Sequence, residues 1–283
     1  MKLTVLGSGS PEAYARRASA GHLLEIGGTR ILFDCGGGVF DRLLQAGLHP
    51  SDIDILFFSH LHSDHMMDYA RLVHAAWDEG AKPLRVYGPP PIAEITEKYF
   101  GRDGVLAHDL TARTELKGSQ EVWLARGGTL PRPWPAPVVT EITPGFALQE
   151  DGWQLSSCEV FHAQPHLSCM AFSVASEGKT FFYSGDAGLT EVFEDFVQDA
   201  DFLLHWCYRL SDQTDVSEFF RTAAPVPSEI AAMARRAGAK RLVLSHFRKH
   251  MDADGAHARA LEEMRAVFDG PTQIAEDLDH FEI

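Results

Sequence analysis

The sequence predicts an α/β protein in four layers, an αββα sandwich with two β-sheets face to face and helices outside each. Three observations lead there. Strand-like apolar segments come in two runs, one before residue 59 and one after residue 150, and helical segments flank both. Turn residues such as Gly7-Ser8-Gly9-Ser10-Pro11 and Gly27-Gly28 punctuate the runs. At 283 residues, with 45% apolar and 10% aromatic content, the chain can also fill a substantial core.

The elements follow in order. Lys2 to Leu6 reads as a strand, and His22 to Ile26 and Arg30 to Asp34 as two more joined at Gly27-Gly28. Gly36 to Gly38 opens a helix over Val39 to Ala46. Ile53 to Phe58 is an apolar strand, and Met67 to Trp77 carries Leu72, Val73 and Ala76 at helical spacing. The second run has strands at Trp153 to Phe161, Met170 to Ala175 and Thr180 to Ser184, then helices and a last strand, Arg241 to Ser245. Residues 80–146 interrupt this grammar with Pro89-Pro90-Pro91, Gly127-Gly128 and Pro131-Arg132-Pro133-Trp134-Pro135. That stretch is too long and too aromatic for a plain linker. It is expected to be a loop or cap near the site mouth, inserted in a single domain over 1–283. Trp123 and Trp134 are then either pocket and homodimer-contact residues or anchors of the insertion to the core.

Composition narrows the function. Asp and Glu outnumber Lys and Arg by 40 to 25, a formal charge of −15. A nucleic-acid binder needs cations to displace phosphate counterions, so the balance counts against a polynucleotide and favours a small-molecule substrate. No apolar run is long enough to span a membrane and no leader follows Met1, which points to a cytoplasmic protein. Cys35, Cys158, Cys169 and Cys207 lack zinc-ribbon or CxxC spacing and read as reduced, buried thiols.

The chemistry begins at His60-Leu-His62-Ser-Asp64-His65, three imidazoles and a carboxylate in six residues directly after an apolar strand. Such donors suit zinc, and also manganese or iron. Three more candidates stand where strands should end: His162 after Val160-Phe161, Asp186 in Tyr183-Ser-Gly-Asp, and His246 closing Leu242-Val-Leu-Ser. One zinc takes about four ligands, so seven imply two ions, bridged by the two oxygens of Asp186. His166 competes with His162 within Phe161-His-Ala-Gln-Pro-His166, and the strand pattern Leu155, Ser157, Val160 favours His162.

With Leu6-Gly-Ser-Gly-Ser-Pro11, Ile31-Leu-Phe-Asp-Cys-Gly36, the HLHSDH run, Ser184-Gly-Asp-Ala187 and Leu242-Val-Leu-Ser-His-Phe247, the chain resembles the metallo-β-lactamase superfamily in its ribonuclease Z-like branch. The resemblance covers nearly the whole sequence. It implies the metallo-β-lactamase fold and two metals. His60, His62 and His162 would hold one, Asp64, His65 and His246 the other, and Asp186 would bridge.

Three departures set the chain apart from ribonuclease Z. The His-Glu-Ala-Thr run of that family reads His205-Trp-Cys-Tyr208 here, keeping the His and losing the Glu. A family His, the expected proton donor to the leaving group, is absent from Thr222-Ala-Ala-Pro-Val-Pro227. The 24 positions from His162 to Asp186 also leave no room for the basic arm of the bacterial form. His205 becomes the candidate general acid, or else a residue orienting a metal ligand.

The expected function is therefore a dinuclear metal-dependent hydrolase using a metal-bridging hydroxide, with Asp64 orienting the nucleophile. Its substrate would be a small phosphodiester, or an ester or lactone. Ribonuclease Z-type tRNA 3′ processing is the alternative. A non-hydrolytic metal-binding or redox relative of the fold is a further one, though flavodiiron-type members usually replace one His of the motif with a carboxylate and add a flavodoxin domain.

Overall fold

The computed structural model describes all 283 residues, arranged around two seven-stranded sheets. The first sheet contains β1 (Lys2–Gly7), β2 (Gly21–Ile26), β3 (Thr29–Phe33), β4 (Ile55–Phe57), β5 (Arg85–Gly88) and β6 (Val138–Glu141). The second contains β7 (Ala147–Glu150), β8 (Trp153–Glu159), β9 (Met170–Ser176), β10 (Lys179–Tyr183), β11 (Phe202–Trp206), β12 (Leu242–Ser245) and β13 (Thr272–Ile274). The closing strand β14 (His280–Glu282) returns to pair with β1. Strand order is β14-β1-β2-β3-β4-β5-β6 in one sheet and β13-β12-β11-β10-β9-β8-β7 in the other.

Each sheet is half antiparallel and half parallel. β1, β2 and β3 pair antiparallel, then β3 to β6 run parallel, with Ile31 opposite Ile55 and Phe33 opposite Phe57. In the second sheet β7 to β10 pair antiparallel and β10 to β13 parallel, with Tyr183 opposite Leu204 and Leu204 opposite Val243. The parallel halves bring the carboxyl ends of β4, β10, β11 and β12 to one rim, where open α/β sheets bind ligands.

Period-two alternation explains the layering. Phe33, Phe57, Phe172, Phe181, Tyr183 and Leu204 form one core between the sheets. Their alternates Leu32 and Leu56 meet the helices of the first outer layer. Phe182 and Leu203 meet those of the second. The phenyl ring of Phe33 lies 5.8 Å from Phe57 and 5.6 Å from Phe172, so aromatic packing crosses the interface. The helices are α1 (Val39–Gln45), α2 (Ser63–Met66), α3 (Tyr69–Asp78), α4 (Ile92–Phe100), α5 (Ala107–Glu115) and α6 (Lys117–Ala125) on the N-terminal side. The C-terminal side supplies α7 (Glu191–Phe196), α8 (Glu218–Ala223), α9 (Pro227–Arg236) and α10 (Ala256–Arg265). The expected four layers are present.

The stretch 80–146 differs from the loop or cap expected at the site mouth. It contains α4, α5 and α6 and extends the first sheet with β5 and β6. Its tryptophans pack locally: Arg132 lies between the rings of Trp77 and Trp123, at 3.9 and 4.4 Å from their centres. Trp134 donates its indole N–H to Phe100 O. Proline-rich punctuation hid this because it interrupts the periodic signal without interrupting the sheet. No helix is long and apolar enough to cross a membrane.

Candidate metal centre

All seven expected ligands meet at the strand-end rim. β4 ends at Phe57, and the next residues carry His60, His62, Asp64 and His65 into and along the short α2. The parallel strands β10 and β12 end beside them and deliver Asp186 and His246. Phe161 makes a single bridge to Gly188, which draws the residue after it, His162, toward Asp186. Close backbone approach is needed here. A Cβ on Gly36 would come within 2.0 Å of Asp64 O, so only glycine fits behind the motif.

The side chains fall into two groups, His60, His62, His162 and Asp186 in one, and Asp64, His65 and His246 in the other. In the first group His62 Nδ1 is 3.0 Å from His60 Nε2 and 3.2 Å from His162 Nε2. In the second, His246 Nε2 is 3.3 Å from His65 Nε2 and 3.1 Å from Asp64 Oδ2. Asp186 stands between them. Its Oδ2 is 3.5 Å from both His162 Nε2 and His246 Nε2, and its Oδ1 is 3.4 Å from His65 Nε2.

These spacings fit metal ligation. Two nitrogens bound at about 2.0–2.1 Å to a tetrahedral zinc lie about 3.3 Å apart. Hydrogen bonding alone accounts poorly for the cluster, since ring nitrogens converge on ring nitrogens and each pair can share only one proton. Asp186 Oδ1 is also buried there without a hydrogen-bond partner. The electrostatics of His60 and Asp186 suit ligation. Burial, with His65 nearby, pushes the His60 imidazole well below its ordinary value, the neutral form that ligates. Burial opposes charge on Asp186, but His246 and His65 outweigh it and hold the carboxyl well below the usual range.

A second set of residues orients the first. Asp34, fully buried at the end of β3, accepts from Ser59 N at 2.8 Å, Ser59 Oγ at 2.7 Å, His65 Nδ1 at 2.9 Å and the Tyr183 hydroxyl at 2.6 Å. A carboxylate only accepts, so His65 carries its proton on Nδ1 and points the Nε2 lone pair into the cluster. Asp34 and His246 both have positive φ, 59° and 70°, a conformation uncommon outside glycine and concentrated at functional sites. In the sequence Asp34 stood within the Ile31-Leu-Phe-Asp-Cys-Gly36 motif, with nothing to mark its partners.

A cavity of 220 Å³ opens over the cluster, with His62, Asp64, His162, Asp186 and His246 on its surface. Pro11, Trp206, Tyr208, Phe219, Phe220, Ala223 and Ala224 form the rest of its wall. Tyr208 stacks on Trp206 at 5.8 Å and lies under the Arg248 guanidinium at 4.9 Å. These aromatic residues were not anticipated, because their segments carry no metal-ligand spacing. No residue of 80–146 lines the cavity.

Two further expectations meet the geometry here. His166 is exposed and belongs to neither ligand group. His205 does not line the cavity either, which counts against the general-acid role. It is fully buried against Phe193, with Nδ1 2.7 Å from Trp206 O and Nε2 unpartnered. Alternation along β11 is the reason: Leu203 and Cys207 face the outer helices, and His205 shares their side. Nor does His205 bond any candidate ligand, so it does not orient one. Burial brings its imidazole down to about 4, against the pull of Trp206 O and Asp186.

Comparison with known proteins agrees with this fold. A family model described as "Beta-lactamase superfamily domain" matches residues 29–247. A Ribonuclease Z of Mycobacterium sp. (strain KMS) is 31% identical over 299 aligned positions, covering 100% of this chain and 96% of the relative. Among solved structures, the metallo-β-lactamase fold protein YhfI from Bacillus subtilis superposes with a TM-score of 0.76 at 23% identity, covering 99% of both chains. The short form of human tRNase Z gives 0.71 at 20% identity, covering 100% of this chain and 99% of that one.

Proposed function

Since the chain belongs to the metallo-β-lactamase superfamily, in its ribonuclease Z-like branch, we propose that it is a dinuclear metal-dependent hydrolase acting on a small phosphodiester. The cavity carries this reading. It sets five of the seven candidate ligands against a mostly aromatic and apolar wall, in a volume of 220 Å³. That space suits a compact diester with an apolar substituent. We read residues 1–283 as one catalytic unit.

Two divalent ions, with zinc the first choice, would supply Lewis-acid charge and lower the pKa of a water. The protein's own groups do the rest. His60, His62 and His162 would hold one ion, Asp64, His65 and His246 the other, with Asp186 shared. Asp34 fixes the tautomer of His65. Asp64 borders the cavity with Oδ2 beside His246, which leaves Oδ1 to orient the attacking water and accept its proton. Trp206, Phe219 and Phe220 would give the substrate an apolar wall beside the candidate ligands.

Ribonuclease Z-type cleavage of tRNA is the second reading, favoured by full-length similarity to proteins of that name. The expectation that acidity and a missing arm make nucleic acid unlikely loses its support. The 299 aligned positions exceed this chain's 283 residues by 16, so a relative called Ribonuclease Z has little room for a long arm either. The apolar Ala224 in the cavity wall still separates this chain from the family pattern.

One screen decides between the readings. Metal-loaded protein is tested on bis-(p-nitrophenyl) phosphate, aryl esters, lactones and a tRNA precursor, with metal counted per chain. The diester should turn over with about two ions bound. Turnover of esters or lactones without the diester would refute the phosphodiester reading, and efficient cleavage of the precursor would establish the second.

A further inference from the structure

Elimination along the cavity wall isolates one side chain that can meet a substrate's departing oxygen. His62, Asp64, His162, Asp186 and His246 are committed as candidate ligands. Pro11, Phe219, Phe220, Ala223 and Ala224 offer no polar side chain. Trp206 has one donor, Nε1, and gives it to Ala187 O at 2.6 Å. Tyr208 remains, half-buried, with no hydrogen-bond partner in the protein. Its ring is held from three directions, by Trp206 at 5.8 Å, His246 at 5.8 Å and the Arg248 guanidinium at 4.9 Å. Glu12 in turn holds Arg248, with Oε1 3.0 Å from its Nε.

A phenol packed against a candidate ligand histidine, under a cation and without a hydrogen-bond partner in the protein, is a donor available to a group outside it. We propose that the Tyr208 hydroxyl is a catalytic hydrogen-bond donor to the leaving-group oxygen of the substrate. The inference rests on the phosphodiester reading above. In that hydrolysis the water oxygen bonds to phosphorus while the bond to the leaving oxygen breaks, and the electron pair stays on that oxygen. The proton released by the water goes to Asp64 and ends on the departing alcohol or phenol. Tyr208 keeps its own proton throughout and donates only a hydrogen bond to the developing charge.

The test is Tyr208→Phe, which retains the stacked ring, measured on methyl aryl phosphates whose leaving groups run from p-nitrophenol to phenol. Metal content and melting temperature should match the parent. The kcat loss should grow along the series, from about tenfold for p-nitrophenol toward about a hundredfold for phenol, because the poorer leaving group needs more help. Binding of phenol to the metal-free protein should weaken about fivefold in the variant, as loss of one hydrogen bond implies. A uniform kcat loss, no loss, or unchanged phenol binding overturns the role of Tyr208 and leaves the phosphodiester reading standing. Absence of turnover by the parent on the whole series overturns both.

Discussion

Asp34 Oδ2 accepts a hydrogen bond from His65 Nδ1 at 2.9 Å, and the same oxygen receives the Tyr183 hydroxyl at 2.6 Å. The contact joins the two sheets directly behind the candidate metal centre. Burial alone would depress the His65 imidazole, but Asp186 and Asp34 outweigh it and raise it well above its ordinary value. A cation at Nε2 would draw on the same two carboxylates. Asp34→Asn keeps the shape and puts an amide where three donors converge. The ion that Asp64, His65 and His246 would hold should bind about 10–100-fold more weakly, as is typical when a ligand loses its orienting partner. Chelator competition should therefore strip one ion early and the other at the parent's concentration. Equal retention of both would remove Asp34 from this role.

The choice between His162 and His166 has a direct readout. His162 Nε2 lies 3.2 Å from His62 Nδ1, whereas the exposed His166 meets neither ligand group. Alanine at 162 should lower metal content by about one ion per chain, and alanine at 166 should leave both ions bound. Metal loss confined to the second variant would reverse the assignment.

What the sequence made legible followed from locality. The HLHSDH run, Asp186 and His246 each follow the end of an apolar strand, and the parallel halves of the two sheets collect those ends on one rim. Asp34 and Tyr208 were not legible because their roles come from pairing across the fold. Asp34 reaches Ser59 through the parallel register of β3 and β4, and Tyr208 packs against His246 at 5.8 Å. The position of His205 was not legible because β11 is buried on both faces. In Phe-Leu-Leu-His-Trp every position is covered, so alternation in the sequence gives no signal for which face meets the site. The short strands β13 and β14, three residues each, are too brief to show a period at all.

The buried position of His205 carries a pH dependence. Its folded value is about 4, below the unfolded 6.5, so the unfolded chain binds the proton more readily. Its contribution is complete above pH 6.5 and is lost as pH falls toward 4. The loss is about 3 kcal/mol between pH 7.5 and pH 4, an order-of-magnitude figure for a fully buried ring. His205→Leu should flatten that limb. Urea unfolding of metal-free parent and variant at several pH values reads the difference directly. The folded, metal-loaded variant should also keep the parent's kcat within about threefold, since no general acid is removed. A loss of a hundredfold or more would restore His205 to the chemistry.

The aromatic wall makes a prediction about what lies beside the scissile bond. Phe219 is 56% exposed yet lines the cavity, and its ring meets Phe161 edge-on at 5.3 Å. Phe220 stands 6.3 Å from Tyr208. An exposed phenylalanine at the mouth of a site gains by covering an apolar group of the ligand. Methyl p-nitrophenyl phosphate and phenyl p-nitrophenyl phosphate share a leaving group and differ only in the group left behind. The parent should favour the phenyl diester, and Phe219→Ala should cost that substrate about tenfold in kcat/KM, equivalent to about 1.4 kcal/mol of lost ring contact. The methyl diester should change by less than about twofold, because its substituent is too small to reach the ring. Equal losses on both substrates would mean that Phe219 supports the wall without reading the substituent.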